Sequence, residues 1–456
     1  MSEQDSTQAN TLQRPANDDK EGWKAYWQAK GQEWRTEPEI DPEWQRYLNE
    51  RRSITPDIEQ GIYPFKDIKL SRADVEWLLA THENGHGPVV WANESQRGRR
   101  GLDLRGADLK GENLGSLPLA CVHGGLTIRE QASTNEMQET LAAVHLEGTN
   151  LSDAHLEGAQ LARAHLEGAN LHRAYLEHTS FRAAHLEGAN LRTAHLESVF
   201  FGSAYLNGKV MEDQEFERVR QRKPDFPKIL PPANLRYSFL STTTNLQNIC
   251  LGDTNYGYVS AVDVRWGDVN LAVVKWEKIQ MLGDEREARQ KMRDGVVKDR
   301  STRLEEYEIA VRANRQLATV LRNQGLNEEA DYFAYRAQLL QRKVLWYQQY
   351  VGRWLFSIIL ALLSGYGYRL WRILAAYVVV VSLFGFAYFV MGIYYPPYLH
   401  LDQAYLQSIT AFHGRVFSEQ FSSNTPQIWV TAFEAVTGLV IEGVFIAMLV
   451  QRFFGK

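Results

Sequence analysis

Two glutamates interrupt a stretch that is otherwise apolar. Residues 428–450 read IWVTAFEAVTGLVIEGVFIAMLV, with Glu434 and Glu442 inside it. A carboxylate at mid-membrane costs roughly 2.5–3.5 kcal/mol on insertion scales. It survives where it faces a bundle interior or water. A single isolated span is therefore a poor host for this sequence, and an oligomer enclosing a polar axis is a good one. Gly438 and Gly443 on the same run permit close helix approach or a bend. Upstream lies a second polar group, His413–Gly414–Arg415. A histidine there can titrate near neutral pH and gate a loop, although a hydrogen-bonded loop histidine is the plainer expectation. Arg415 has two readings. As a ring of positive charge along a path it would favour anions. As a strut it would pair with Glu434 or Glu419, and the strut is expected because Glu434 lies in the second turn of the following run.

A third set recurs every ten residues. His145, His155, His165, His185 and His195 form a series that Tyr175 and Tyr205 fill, and Glu occupies 147, 157, 167, 177, 187 and 197. Such a ladder invites metal binding or pH sensing. The plainer expectation is a solvated outer face whose residues repeat with the backbone. His82, Glu83 and His86 lie in the turn-like THENGH, which lacks a metal-ligand framework. No nucleophile–base pair or metal cluster is recognisable, so no enzyme activity, no metal and no cofactor are expected.

The elements that position the first two groups are membrane helices. Residues 373–395, ILAAYVVVVSLFGFAYFVMGIYY, carry no charge over 23 positions. Roughly 20 apolar residues cross the hydrocarbon core. Arg369, Trp371 and Arg372 precede the run, and Tyr394, Tyr395 and Tyr398 follow it, as at the two interfaces of a span. Arg342, Lys343, Arg353, Arg369 and Arg372 lie before the first run, and Arg452 and Lys456 after the second. The connecting loop, 396–427, holds Arg415 alone. Positive charge then places both termini and the bulk of the chain in the cytoplasm, in the cell (inner) membrane. The polar stretch at 1–22 is read as a disordered tail without a secretory signal. Residues 351–370 contain an apolar run too short to span. It is expected to lie in the membrane interface, leading to Gly365–Tyr366–Gly367.

Within the loop, Leu406, Ile409 and Phe412 recur at helical spacing, which predicts a short helix from Gln403 to Phe412 inside a re-entrant segment at 403–421. The alternative is an ordinary external hairpin. The segments LSGYGYRLWR (363–372), SITAFHGR (408–415) and EAVTGLVIEGVFIAMLVQRFF (434–454) resemble two-span ion channels of the potassium-channel superfamily. That resemblance implies an outer helix, a pore loop and an inner helix, four subunits, and permeating cations. In potassium channels the loop carries a TVGYG-like filter whose carbonyls replace water around the ion. Here the aligned residues are TAFHGR, so Thr410, Phe412, His413, Gly414 and Arg415 are the candidate constriction, and only Gly414 is shared in kind.

The strongest periodicity is five. From Leu141 to Leu206 every fifth residue is Leu or Phe, and Ala stands two before at 154, 159, 164, 169, 174, 184, 189, 194 and 204. This period fits neither a helix nor a strand, but fits a solenoid. The segment AHLEGANLHRAYLEHTSFRAAHLEGANL resembles pentapeptide repeats. That resemblance implies a right-handed square β-helix of four repeats per coil, with the central and the small residue pointing inward. Ten residues are then half a coil, so alternate histidines stack about 4.8 Å apart on one face. Leu104, Leu109, Leu114 and Leu119 start the stack. Residues 121–140 interrupt it, and a Pro-rich break falls within 207–232. After it come Leu235, Leu240, Leu246, Leu251, Tyr256, Ala261, Trp266 and Leu271, the larger ones acting as a closing cap.

The expected fold class is thus a multidomain α+β membrane protein. Residues 23–100 cap the solenoid at 101–272, with Ser71-x-x-Asp74 starting a helix. A TPR-like helical hairpin follows at 284–350, then the interfacial helix at 351–370 and a two-span pore module at 371–456. One hairpin cannot bury its own face, so it should pack on the solenoid or another subunit. A formal charge of −5 argues against a nucleic-acid partner, and two distant cysteines suit a reducing compartment. The function expected is an oligomeric, cation-conducting channel with a cytoplasmic sensor or scaffold that takes an unidentified ligand or protein. Its partners are membrane lipid, permeating ions and copies of itself. The alternatives are a membrane-anchored protein-binding scaffold without conduction, and an anion-selective or nonselective channel through Arg415.

Overall fold

The computed structural model describes residues 13–293, 295–364, 370–394, 399–415 and 426–454. The chain divides into two compact units, one of 1–298 with 312–330 and one of 299–311 with 331–456.

The first unit opens with helices Lys20–Ala29, Pro42–Arg52 and Arg72–Ala80. Asp19 caps the first, and Trp23, Tyr26 and Trp27 bury against one another with ring centroids 5.0–5.7 Å apart. Trp23 Nε1 also donates to the Ala16 carbonyl. The expected tail at 1–22 is therefore ordered from its second half, because a cap and a buried indole hold it; residues 1–12 lie outside the described residues. Ser71 and Asp74 form the capping box of the third helix. Glu76 is fully buried and accepts the Thr36 and Glu37 amides and the Arg72 guanidinium. Arg72 reaches on to the Asn113 and Gly115 carbonyls, which fastens this layer to the solenoid.

The solenoid is a stack of square coils joined by parallel bridges on four faces. One face aligns Asp108, His145, His165, His185, Tyr205 and Cys250; the next aligns Asn113, Asn150, Asn170, Asn190, Asn234 and Ser260. The third aligns Pro118, His155, Tyr175, His195, Phe239 and Arg265, and the fourth His123, Gln160, Ser180, Phe200 and Asn245. Central leucines and the alanines two before them are shut off from solvent. Each corner needs a left-handed residue. Gly148, Gly158, Gly168 and Gly188 supply it at some corners, and Asp153, Arg163, Arg173 and His178 adopt it at others with φ of 56–61°. At Gly168 the requirement is double, since a Cβ would lie 2.6 Å from the Phe226 ring.

Four boundaries differ from the expectation. Leu141 ends a short helix, Glu136–Leu141, and is not a coil position. The coil runs on through Val122 and His123, so the interruption starts after them; Gly124 replaces the central leucine because a Cβ would meet Val144 at 2.6 Å. The break at 207–232 is a folded excursion. Lys209–Val210 pairs with Ile229–Leu230, helix Asp213–Arg220 lies between, and Met211, Val219, Phe226 and Leu230 form its core. Tyr256 lies in a hairpin, Gly252–Asp253 with Gly257–Tyr258, inserted between the Leu251 and Ala261 positions, so it keeps the five-residue count without facing the core.

The last coils are closed by helix Gly283–Arg289 and by residues 312–330. Arg236 bridges Asp284 and Glu287 at 2.7 and 2.6 Å. Gln316 donates to Asp263 Oδ1 and accepts the Asp263 amide. Gln324 donates to the Val269 carbonyl and accepts the Leu271 amide. Two glutamines thus continue the main-chain pairing of the final coil, where the sequence suggested only large side chains.

The second unit is helical. Arg300–Asn323 and Asn327–Tyr347 belong to it in part, and Tyr307 stacks on Tyr347 at 5.6 Å. Then come Val351–Ser364, Leu370–Tyr394, Leu401–Phe412 and Pro426–Phe454. Among the described residues, two helices are long and apolar enough to cross a membrane, Arg372–Tyr394 and Pro426–Ala447. Both expose much of their apolar surface, including Leu374, Leu383, Phe386, Trp429, Phe433 and Leu439, which a soluble core helix does not. The turn at Gly365–Tyr366–Gly367, the flanks Arg369, Tyr395 and Tyr398, loop residues 416–421 and Lys456 lie outside the described residues; nothing is described of the Arg452 side chain.

Candidate functional site

The short helix Leu401–Phe412 is laid against helix Leu370–Tyr394 by missing side chains. A Cβ on Gly392 would meet Leu399 at 2.7 Å, and one on Gly385 would meet the Tyr405 ring at 3.0 Å. Further along, the Ser408 hydroxyl donates to the Val381 carbonyl, and Phe412 meets Tyr377 edge-on at 4.8 Å. The partners descend 392, 385, 381, 377 as the short helix ascends, so the two run antiparallel. At a rise of about 1.5 Å per residue this carries Phe412 roughly 22 Å along the long helix.

The terminal helix Pro426–Phe454 packs in the same register. The Tyr388 hydroxyl donates to Thr431 at 3.1 Å, Glu434 Oε1 lies against the Ser408 hydroxyl, Gly438 meets Phe412, and Glu442 pairs with His413. Gly438 is the tightest contact, since a Cβ would lie 1.9 Å from the Phe412 carbonyl oxygen. Phe412 itself is buried with Ile373, Val381 and Ile441. Pro426 therefore starts near the Tyr388 end, whereas Arg415 stands near the Tyr377 end.

Of the candidate constriction, Thr410 turns its hydroxyl to the Leu406 and Gln407 carbonyls of its own helix. Gly414 (φ 71°) ends that helix: its amide bonds to Ala411 and the Arg415 amide to Thr410. This is a Schellman cap. The glycine shared in kind with a filter is thus a helix terminator. Arg415 is exposed, and Glu434, its expected partner, is engaged by Ser408 instead; Glu419 lies outside the described residues. Glu434 is fully buried, and Gln407, one residue before Ser408, is buried with neither amide atom bonded among the described residues. Gly443 faces open space. Tyr388, Gln407, Ser408 and Thr431 were not singled out in the sequence. Their polar atoms interrupt apolar helix faces at the level of Glu434, and that was the signal available.

The ladder is less solvated than expected. His145, His165 and His185 stack at 4.8 and 5.1 Å, and His155, Tyr175 and His195 at 4.5 and 5.1 Å. Glu147, Glu157, Glu167 and Glu187 are buried, each accepting from the Nδ1 of the histidine two residues before. Burial opposes charge on both His165 and Glu167. Their mutual hydrogen bond outweighs it, raising His165, and with Lys209 it holds Glu167 down at about 2. An asparagine ladder was missed altogether. Asn150, Asn170 and Asn190 each donate to the coil before at 2.8–3.0 Å, a pattern visible as Asn every twenty residues. At the THENGH turn, Glu83 pairs with Arg99, and both histidines bond main-chain carbonyls.

The family profile of pentapeptide repeats matches residues 141–177 and 174–208. This part of the chain is a pentapeptide-repeat domain. The repeat domain forms a β-helix, and the C-terminal region adds the two long apolar helices. Similar solved structures include HetL, a pentapeptide repeat protein involved in heterocyst differentiation regulation from the cyanobacterium Nostoc sp. It is 17% identical over 44% of this chain and 81% of its own, with a TM-score of 0.17. Another is QnrB1, a plasmid-mediated fluoroquinolone resistance protein, 11% identical over 40% and 82%, with a TM-score of 0.15. A third is a pentapeptide repeat protein from the Arabidopsis thaliana thylakoid lumen, 18% identical over 36% and 68%, with a TM-score of 0.11. Comparison with curated protein sequences finds no match.

Proposed function

We propose that the chain is one subunit of an oligomeric ion channel whose pentapeptide-repeat domain is a cytoplasmic sensor or scaffold. The observation that carries this is the depth of His413 and Glu442. His413, at the end of the short helix, meets Glu442 about three-quarters of the way along the two helices of membrane-spanning length, and both stay partly exposed in the single chain. A polar pair facing hydrocarbon is costly, and one facing a shared aqueous axis is not. The antiparallel short helix supplies the re-entrant element such a path requires, since irregular backbone at membrane depth is tolerated only along a cavity. Three helices cannot enclose a path alone, so several copies are needed, four by the resemblance to two-span channels. Cations are the expected permeant ions, with Glu442 at the axis.

Reconstitution of the purified full chain into planar bilayers is the test. Currents are expected, with His413→Ala and Glu442→Gln each altering conductance or its pH dependence. Absence of single-channel current in any salt at any voltage would overturn the channel and leave a membrane-anchored pentapeptide-repeat scaffold. A reversal potential set by anions, and shifted by Arg415→Ala, would replace cation with anion conduction.

A further inference from the structure

The two histidine–glutamate faces of the repeat domain balance their charge differently. On one, Lys110 Nζ lies 3.4 Å from Glu147 and Lys209 Nζ 2.7 Å from Glu167. On the opposite face Glu157, Glu177 and Glu197 repeat at coil spacing, and among the described residues no lysine or arginine pairs with them. Each has a carboxylate oxygen closed off from solvent and without a hydrogen-bond partner among the described residues, as do Glu147, Glu167 and Glu187 on the other face, so what separates the two faces is the lysines. Stacked like charges repel, and a buried oxygen with no donor is costly. This face lacks a cation that its counterpart has.

His195 marks where one fits. In four other rungs the imidazole Nδ1 lies 2.8–3.2 Å from the Oε1 of the glutamate two residues on, a proton shared between them. At His195 the gap to Glu197 is 3.7 Å, too long for a hydrogen bond. Two ligands that each stand roughly 2.0–2.2 Å from one tetrahedral Zn2+ are about 3.3–3.6 Å apart, close to this gap. Glu177, from the coil before, completes the set: one ligand atom of each residue lies within 4.8 Å of the others. The His195 ring is held parallel between Tyr175 at 5.1 Å and Phe239 at 5.0 Å, so its direction is fixed in advance. All three ligands are partly exposed, which leaves an ion a way in.

We infer that Glu177, His195 and Glu197 form a binding site for a divalent transition-metal ion of the Zn2+ class, with water completing its coordination. Imidazole with carboxylate suits Zn2+ and its neighbours better than Mg2+ or Ca2+. The site stands independently of the channel reading.

The test uses untagged full-length protein in detergent micelles, stripped with EDTA and dialysed. It is titrated with ZnCl2 by calorimetry and with CoCl2 by visible absorption. One ion per chain is expected, with a Co2+ band and a melting temperature that rises with ZnCl2. His195→Phe keeps the ring stack and removes a ligand. It and Glu177→Gln are each expected to weaken binding at least about tenfold. Glu167, His185 and Glu187 are grouped in the same way on the other face, but there Lys209 already pairs with Glu167, so His185→Phe should leave affinity unchanged. No binding by the wild-type chain, unchanged affinity in Glu177→Gln, or an equal loss in His185→Phe would overturn the site. If His195→Phe fails to fold by circular dichroism, Glu177→Gln carries the decision.

Discussion

Glu167 has no contact with solvent, yet it is held ionised by His165 and Lys209. The sign of its pH dependence follows. The histidine, raised above its ordinary 6.5, contributes fully below that value and loses its contribution as pH rises through the raised one. The glutamate, lowered to about 2 from 4.5, contributes fully above 4.5 and loses it as pH falls toward 2. Melting temperature should therefore carry a component that is greatest between these ordinary values. His165→Tyr keeps the stack and should remove the alkaline limb in melts taken across pH. A second residue-scale prediction concerns Gly438. Gly438→Ala sets a methyl against the Phe412 carbonyl, and backbone yields poorly, so a cost of about 2–3 kcal/mol is expected in detergent unfolding. Gly443→Ala faces open space and should stay within about 0.5 kcal/mol. The residue types at both places were readable in the sequence, but their partners were not. His413 was read as a loop residue and Arg415 as a strut to Glu434 or Glu419. Which carboxylate each meets depends on where the short helix stops along its neighbours, and no local spacing encodes that depth.

At the scale of elements, the five-residue period could be read because a narrow interior repeats one demand at every step. Leu171 is fully buried in that interior, and Leu171→Ala should cost about 2–5 kcal/mol by the cavity it leaves. Asn170 donates to Asn150 and accepts from Asn190, so Asn170→Ala should cost about 1–2 kcal/mol, measured by chemical denaturation. The period misled where another element happened to keep count. Leu141 closes a helix, and Tyr256 sits in a hairpin; both fall on the fifth position without sharing the interior. The excursion after Leu206 was hidden for the opposite reason. Its core is four residues spread over some twenty, and its fit depends on glycine corners forty to eighty positions earlier.

For the whole molecule, the sequence separated a repeat solenoid from two long apolar helices, since each has its own periodicity and composition. It did not reveal that Gln316 and Gln324 finish the last coil, because a glutamine on a helix face looks like any solvated residue. Gln316→Ala with Gln324→Ala should leave the chain folded and speed amide exchange at Asp263 and Leu271, which lose their acceptors. The four-faced square also sets a grammar for insertions and deletions. Twenty residues make one coil, so duplicating 161–180 would lengthen the stack by one rung and leave every later side chain on its own face. Removing ten would preserve the histidine period to the eye. It would nevertheless carry all later rungs to the far side, trading lysine-balanced glutamates for unbalanced ones and stranding the excursion that Gly168 receives. Two variants almost equal in sequence pattern would thus have opposite fates.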